Sequence, residues 1–278
     1  MTQNKTVLIT GASTGIGYYC AHALHKDGYR VIASCRKIAD VSRLQAEGLT
    51  CIQLDLTDSK SIQRAATETL KLCDGKLYAL FNNGAYGQPG AVEDLTRETL
   101  RKLFESNFFG WAELTNTLLP HMIKQGEGRI VQNSSVLGFA AMPFRGAYNA
   151  SKFAIEGLSD TLRLELEGTG VFVSLIEPGP ITSNFRQNAL KALNDNIDFN
   201  SSRFGFQYAA ATHRLSKPGP ASRFTLGPEA VYKKLHHALT AKCPKPRYYV
   251  TFPTYLMGYL KRLLSTRMMD KILGKIKS

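Results

Sequence analysis

The chain has 278 residues, 44% of them hydrophobic and 21% charged, with a formal net charge of +13. That length suits one large α/β domain or two small ones, and it suffices to bury most of the apolar surface. No apolar run is long enough for a transmembrane helix, and the N-terminus enters a strand with no signal-peptide pattern, so the chain reads as cytoplasmic.

Short apolar runs alternate with helical patterns. Residues 6–10 predict a strand rich in β-branched residues, and 16–27 a helix stopped by Gly28. Strands follow at 30–35 and 50–55, with a short helix at 39–46 between them. A helix at 59–72, capped by Asp58 or Ser59, leads to a strand at 77–82. One long helix is expected over 96–125, then a strand at 128–134, a helix at 148–167 and a strand at 171–177. The strands are almost continuously apolar, as when both faces of a sheet are covered. This alternation predicts a single Rossmann-like domain spanning 1–278, a doubly wound parallel sheet with helices on both faces.

After Glu177 the pattern breaks. Residues 183–226 read as irregular, and a stretch of that length inside a domain points to a lid or substrate-binding loop. Phe185, Phe199, Phe204 and Phe206 make it apolar enough to close over a ligand. A helix over 228–241 and a strand over 247–250 complete the domain.

Glycines at 11, 15 and 17 directly follow the first strand and open a helix, in Thr10-Gly-Ala-Ser-Thr-Gly-Ile-Gly17. Small residues let a backbone approach a pyrophosphate, and the helix start offers free N–H groups. Ser13, Thr14 and Ile16 belong to the same turn. The second strand ends in Arg36 and Lys37, where NAD-binding folds place an acid for the ribose hydroxyls. A guanidinium there suits a 2′-phosphate, so NADP(H) is preferred over NAD(H). Asp55, ending the third strand, would either accept from the adenine amino group or cap the next turn.

Tyr148 and Lys152 stand four residues apart, with Ser135 upstream. On a helix such a pair shares a face, with Cβ atoms about 5–6 Å apart. An ammonium held there would lower the phenol's pKa and suit it to proton exchange with a carbonyl or alcohol oxygen. The five cysteines show no paired spacing and the six histidines no metal pattern.

Taken together, these motifs over roughly residues 5–182 resemble the short-chain dehydrogenase/reductase family: the glycine turn, Asp55, Asn82-Asn-Gly-Ala85, Asn107, Ser134-Ser135, Tyr148-x-x-x-Lys152 and Pro178-Gly-Pro-Ile-Thr182. The resemblance implies Tyr148 as general acid/base and Lys152 as its pKa modifier and ribose ligand. Ser135 would hold the substrate oxygen, and Asn107 a water linking Lys152 to solvent. Leu56, Asn82 and Gly84 would lie beside the cofactor, and Pro178, Gly179, Ile181 and Thr182 along its nicotinamide. The family's usual Asn-Asn-Ala-Gly reads Asn82-Asn83-Gly84-Ala85 here, and Thr14 stands where many NADP-preferring members carry a basic residue. Segments at 154–163 and 227–231 are similar to the hydroxysteroid and retinol dehydrogenase branch, and the C-terminus to bacterial NADP-dependent aldehyde reductases. That implies reduction of an apolar aldehyde, or of a retinoid-like or steroid-like ketone, with Phe144 and Phe185 in the substrate pocket. The alternative is a non-catalytic dinucleotide-binding redox sensor. The Asn–Ser–Tyr–Lys set argues against it, because a sensor has no need of a proton donor.

Nine of the thirteen excess positive charges fall after Gly227. A basic amphipathic helix is expected over 254–278, its apolar stripe at 256, 260, 263, 264, 268, 272 and 276. Such a helix packs on its own domain, on a second subunit, or peripherally on the inner membrane surface. No aromatic–basic stacking pattern for nucleic acid is present. The family resemblance implies a homodimer or homotetramer.

Overall fold

The computed structural model describes residues 5–275. Seven strands form one parallel sheet: β1 (Thr6–Ile9), β2 (Arg30–Cys35), β3 (Thr50–Gln53), β4 (Leu77–Asn82), β5 (Gly128–Asn133), β6 (Val171–Glu177) and β7 (Arg247–Tyr249). Their spatial order is β3-β2-β1-β4-β5-β6-β7. From β1 the chain winds outward to β3, then returns past β1 to start β4. The crevice at the strands' carboxyl ends between β1 and β4 is where such sheets bind ligands.

Alternate residues of β1 serve opposite faces, as the strand period of two requires. Val7 and Ile9 pack with α1 (Gly15–Lys26), α2 (Ile38–Ala46) and α9 (Glu229–Thr240). Leu8 packs with α3 (Ser59–Leu72), α5 (Gly110–Gln125) and α6 (Gly146–Glu165) on the other side. Both faces are dry, which explains the unbroken apolar strands. Asp58 caps α3, its carboxylate accepting from the Lys60 N–H at 3.0 Å.

Three regions depart from the sequence expectation. The helix expected over 96–125 is interrupted: α4 (Arg97–Phe104) leads into a π-helical turn, Glu105–Phe109, before α5. The stretch 183–226 is not irregular, since it contains α7 (Phe185–Asn196) and α8 (Gly205–Ser216). Their buried residues are few and mostly small, Ala189, Ala192 and Leu193 in one and Tyr208, Ala211 and Leu215 in the other, so the helical stripe is faint. The tail forms two helices, α10 (Phe252–Leu263) and α11 (Thr266–Leu273), broken where Leu264 leaves the helical conformation and Ser265 begins the next turn. Within the expected stripe, Leu260, Leu264 and Ile272 pack on the domain, whereas Leu256, Leu263 and Met268 face outward. Position 276 lies outside the described residues.

Among the described residues no helix is long and apolar enough to cross a membrane.

Candidate active site

The glycine turn leaves no room for side chains. Gly11 adopts φ 66°, and a Cβ there would stand 2.5 Å from the Gly84 Cα. A Cβ on Gly17 would stand 2.4 Å from the Gly11 carbonyl oxygen. Gly84 therefore occupies the position that must stay small, while Ala85 packs away with the α5 side. Thr14 starts α1 in extended conformation, and Ile16 packs inward. The Ser13 carbonyl accepts from the Arg43 guanidinium at 2.7 Å, a contact that spacing did not reveal. Gly15 lies over Ser183, so the turn also meets the start of the lid region.

Arg36 and Lys37 are exposed just beyond β2, where the sequence placed them. Asp55 follows the bland alternative for one of its oxygens: Oδ1 accepts from the Thr57 N–H at 2.9 Å and its hydroxyl at 2.8 Å. Leu56 packs against Gly84 and Gly110. Asn82 is fully buried and turns its side chain to Thr115 at 3.0 Å.

The neighbouring asparagine is the one at the turn. Asn83 Nδ2 donates to the Thr10 and Gly11 carbonyls at 2.9 and 3.2 Å. Its Oδ1 accepts from Asn133 Nδ2 at 2.8 Å, and the Asn133 carbonyl accepts from Lys152 Nζ at 2.7 Å. A continuous polar chain thus joins the glycine turn to the lysine. Asn83 and Asn133 were missed as site residues; both are polar residues at the carboxyl end of a strand, and that signal was legible.

Tyr148 and Lys152 both lie on α6, and Ser135 lies in the turn after β5. Ser135 is close enough to the Tyr148 hydroxyl to favour its phenolate form. Ser135 Oγ accepts from the Leu137 N–H at 3.1 Å and lies 3.5 Å from the Pro178 carbonyl oxygen. The Lys152 ammonium is 1% exposed and sits 4.3 Å from the Trp111 ring centroid and 5.6 Å from that of Tyr148.

Burial changes the expected electrostatics. It pushes the Tyr148 phenol above its ordinary value, opposed only by Ser135. It also pulls Lys152 down to about 7, opposed by the Glu156 carboxylate. The i,i+4 spacing therefore gives proximity, but the phenol is not lowered, because desolvation disfavours both charged forms.

Asn107 lies fully buried in the π-helical turn. Its amide is closed on Tyr86, accepting from the N–H at 3.1 Å and donating to the carbonyl at 2.8 Å, with a weaker contact to Ser151 at 3.4 Å. Both ends of the side chain are engaged, which anchors the π-helical turn to residue 86.

The Pro178–Thr182 strip runs beside Ser135, with the Pro178 carbonyl accepting from the Val136 N–H at 2.9 Å. Gly179 abuts Thr251 at the start of α10, and Ile181 bridges to Leu226. The Thr182 N–H donates to the Leu226 carbonyl at 2.9 Å.

The opposite wall is aromatic. Phe185 meets the Tyr148 ring edge-on at 5.3 Å, and Phe144 meets Phe204 at 5.2 Å and Tyr208 at 5.9 Å. Phe199 stacks on Tyr208, whereas Phe206 is 85% exposed and takes no part.

Behind Lys152, spacing gave no hint of a buried charge cluster. Arg247 lies 3.1 Å from Glu156, 2.6 Å from Asp160 and 3.2 Å from Glu177. Glu177 is fully buried, and burial beside the Glu156 carboxylate raises its pKa.

A family profile described as short chain dehydrogenase matches residues 5–194. The chain is 46% identical over 269 residues to the uncharacterized oxidoreductase YbbO of Escherichia coli K12, covering 97% of this chain and 94% of that protein. It is 35% identical over 196 residues to human retinol dehydrogenase 8, covering 67% of this chain and 62% of that one. A short-chain dehydrogenase from Streptomyces avermitilis superposes with a TM-score of 0.76 at 28% identity, over 96% of each chain. One from Burkholderia phymatum, solved in complex with NAD, superposes with a TM-score of 0.78 at 25% identity, over 100% of this chain and 97% of that one.

Proposed function

The chain belongs to the short-chain dehydrogenase/reductase family of oxidoreductases, and we propose that it reduces an apolar carbonyl compound with NADP(H). The observation that carries this reading is Tyr148 beside Ser135, with buried Lys152 on the same helix tied through Asn133 and Asn83 to the glycine turn. The turn suits a dinucleotide: Gly11, Gly17 and Gly84 meet too closely to admit a Cβ, and the tight turn they make opens onto the start of α1, where free N–H groups suit a pyrophosphate. The NAD complex of the Burkholderia relative supports a nicotinamide dinucleotide, and exposed Arg36 after β2 favours its 2′-phosphate form.

A bound nicotinamide supplies the hydride; proton handling and orientation belong to the chain's own residues. Ser135 Oγ holds the substrate oxygen beside the Tyr148 hydroxyl. Tyr148, kept protonated by burial, is the loaded acid and gives its proton to that oxygen. Lys152, when charged, stabilises the phenolate left behind. Asn107 acts as a positioning residue that fixes residue 86 against α6 through Ser151. Pro178, Gly179, Ile181 and Thr182 line the cofactor side, and Phe144 and Phe185 the substrate side.

The lid at 183–226 closes as two helices over an aromatic wall, which supports an apolar aldehyde or a retinoid-like or steroid-like ketone. The chain is proposed to work in the cytoplasm as a homodimer or homotetramer. Exposed Phe109, at the end of the π-helical turn before α5, and exposed Phe153, Leu158 and Leu164 on α6 support pairing through these helices. Phe252, Tyr255, Leu256, Tyr259 and Leu263 face solvent along α10 near Lys261, Arg262 and Arg267, which supports peripheral contact with an anionic membrane. Vesicle flotation with and without residues 254–278 tests that contact; equal flotation of both forms removes it.

The reaction itself is tested by following oxidation of NADPH and NADH in parallel against alkanals, a retinal and a steroid ketone. NADPH-linked turnover of at least one is expected. Consumption of neither cofactor with any of them would favour the sensor reading.

A further inference from the structure

Three half-buried arginines adjoin the aromatic wall in the chain: Arg145 and Arg186 directly follow Phe144 and Phe185, and Arg214 shares α8 with Tyr208. Arg186 has a structural explanation, because it donates to the Arg214, Lys217 and Gly219 carbonyls and so closes the C-terminal end of α8. The other two do not. The Arg145 guanidinium reaches one backbone carbonyl, that of Pro143 at 3.2 Å. The Arg214 Nε is buried with no acceptor, and its side chain has no hydrogen bond among the described residues. Neither guanidinium pairs with a carboxylate among the described residues.

The nearby acids are committed elsewhere. Glu93 is held by Arg203 at 2.7 and 2.9 Å, and Asp94 accepts from Ser202 at 2.6 Å and from Tyr208. The charges that act on the pair are of their own sign, Arg214 on Arg145 and Arg186 on Arg214, each adding to burial in lowering their pKa values. A like-charged, partly desolvated pair without an acid is costly unless an anion joins it.

Their position says whose anion. Arg145 caps α6 three residues before Tyr148. It follows Phe144, whose φ of 58° is a strained conformation for an aromatic residue, pinned where the Gly90 N–H donates to its carbonyl at 3.0 Å. Arg214 comes from α8 of the lid. The two cations thus belong to the segments that build the wall of Phe144, Phe204 and Tyr208, remote in sequence from the glycine turn and Arg36.

We propose that Arg145 and Arg214 form an oxyanion-binding subsite for the substrate, so that the compound reduced carries a carboxylate or phosphate beside its apolar part. The inference rests on Tyr148 as proton donor and narrows the substrate class from neutral carbonyls to acidic ones. Guanidinium forks recognise both oxyanions.

The test compares, with NADPH, a neutral alkanal, the ω-carboxylate alkanal of the same length and its ω-phosphate counterpart. At least one acidic aldehyde is expected to exceed the neutral one about tenfold or more in kcat/KM, and which one does so identifies the oxyanion. Arg145→Gln and Arg214→Gln should each bring that ratio toward one, mainly through KM. Arg214→Lys, which keeps the charge but loses the fork, should fall between. Equal efficiencies in the wild type, or a ratio that survives both glutamine substitutions, would overturn the proposal. Calorimetric binding of hexanoate and hexyl phosphate to the complex with NADP+ needs no turnover, so it separates this failure from that of the reductase reading. Binding weakened about tenfold by Arg214→Gln upholds the subsite even if no aldehyde is reduced, and binding of neither probe removes it.

Discussion

The two ends of the crevice are built by different means. At the cofactor end, backbone meets backbone: Gly11 against Gly84, Gly17 against Gly11, with Asn83 stitching the turn together. At the proposed substrate end, side chains from distant segments meet: Phe144, Phe185, Phe204 and Tyr208, from α6's approach and from α7 and α8. The first end tolerates almost no variation in shape, because a Cβ would enter it. The second can be remodelled one side chain at a time. A family that keeps one cofactor class while changing substrates needs that division.

The sharpest way to break this comparison is at the residue both ends share. Tyr148→Phe removes the proton donor while keeping the ring that packs on Phe185. Reductase kcat is expected to fall about a thousandfold, within the usual range for loss of a positioned acid, with cofactor affinity nearly unchanged. Steady-state rates and a cofactor titration check both halves. A variant that kept a tenth of the wild-type rate would refute the assignment of the acid.

A second test uses pH and the polar chain behind that tyrosine. Tyr148 is raised by burial, so it stays protonated throughout neutral and mildly alkaline solution. Lys152 is lowered to about 7, so it is charged below that pH and neutral above it. Only the charged form can stabilise the developing phenolate. Reductive kcat/KM should therefore fall as pH rises through about 7, approaching tenfold per unit. A profile flat from pH 6 to 8.5 would show that Lys152 keeps its proton despite burial. Glu156→Gln sharpens the point, since that carboxylate opposes the lowering of Lys152, and its loss should move the limb to lower pH.

The cofactor end offers a smaller effect. Arg36 projects from the end of β2, beyond the rigid turn. Arg36→Asp exchanges a partner for a 2′-phosphate with one for ribose hydroxyls. The ratio of kcat/KM for NADPH over NADH should drop by about tenfold or more. An unchanged ratio would mean that Lys37 or another cation reads the phosphate.

What the sequence made legible follows the same division. The glycine turn, Arg36 and the Tyr148–Lys152 pair have fixed local spacings, and the fold put each where spacing predicted. The strands were legible as well, the central ones because a sheet covered on both faces leaves unbroken apolar runs. The π-helical turn was not, since nothing in residues 105–109 departs from a helical pattern. The lid helices were hidden by Asn, Ser and Gly at their borders and by small buried residues that carry little periodic signal. The break in the tail is hidden because Leu263 and Leu264 continue the apolar stripe across it, while Leu264 itself turns extended before Ser265. Burial of Tyr148 and Lys152 was out of reach for the same reason: spacing reports neighbours on a helix, and solvent access is decided by Trp111 and the strands beneath.

The smallest effect concerns how firmly the lid is held. Tyr208 is 1% exposed, and its hydroxyl accepts from the Ala91 N–H at 2.9 Å and donates to Asp94. Ser202 reaches the same carboxylate at 2.6 Å, and Arg203 grips Glu93 next to it. These contacts fasten α8 to the 91–94 turn, so the proposed lid is held by a polar clip as well as by aromatic packing. Tyr208→Phe keeps the stacking with Phe199 and the edge contact with Phe144, and removes only the clip. A buried N–H and a carboxylate oxygen then each lose a partner, a cost of about 1–3 kcal/mol. For a chain of this size the melting temperature should fall by roughly 2–6 °C. If the clip also sets lid closure, KM for the carbonyl substrate should rise about threefold while cofactor affinity stays within a factor of about two. An equal loss for cofactor and substrate would mean that the two ends of the crevice are coupled, and that the division between a rigid cofactor end and an adaptable substrate end is too simple.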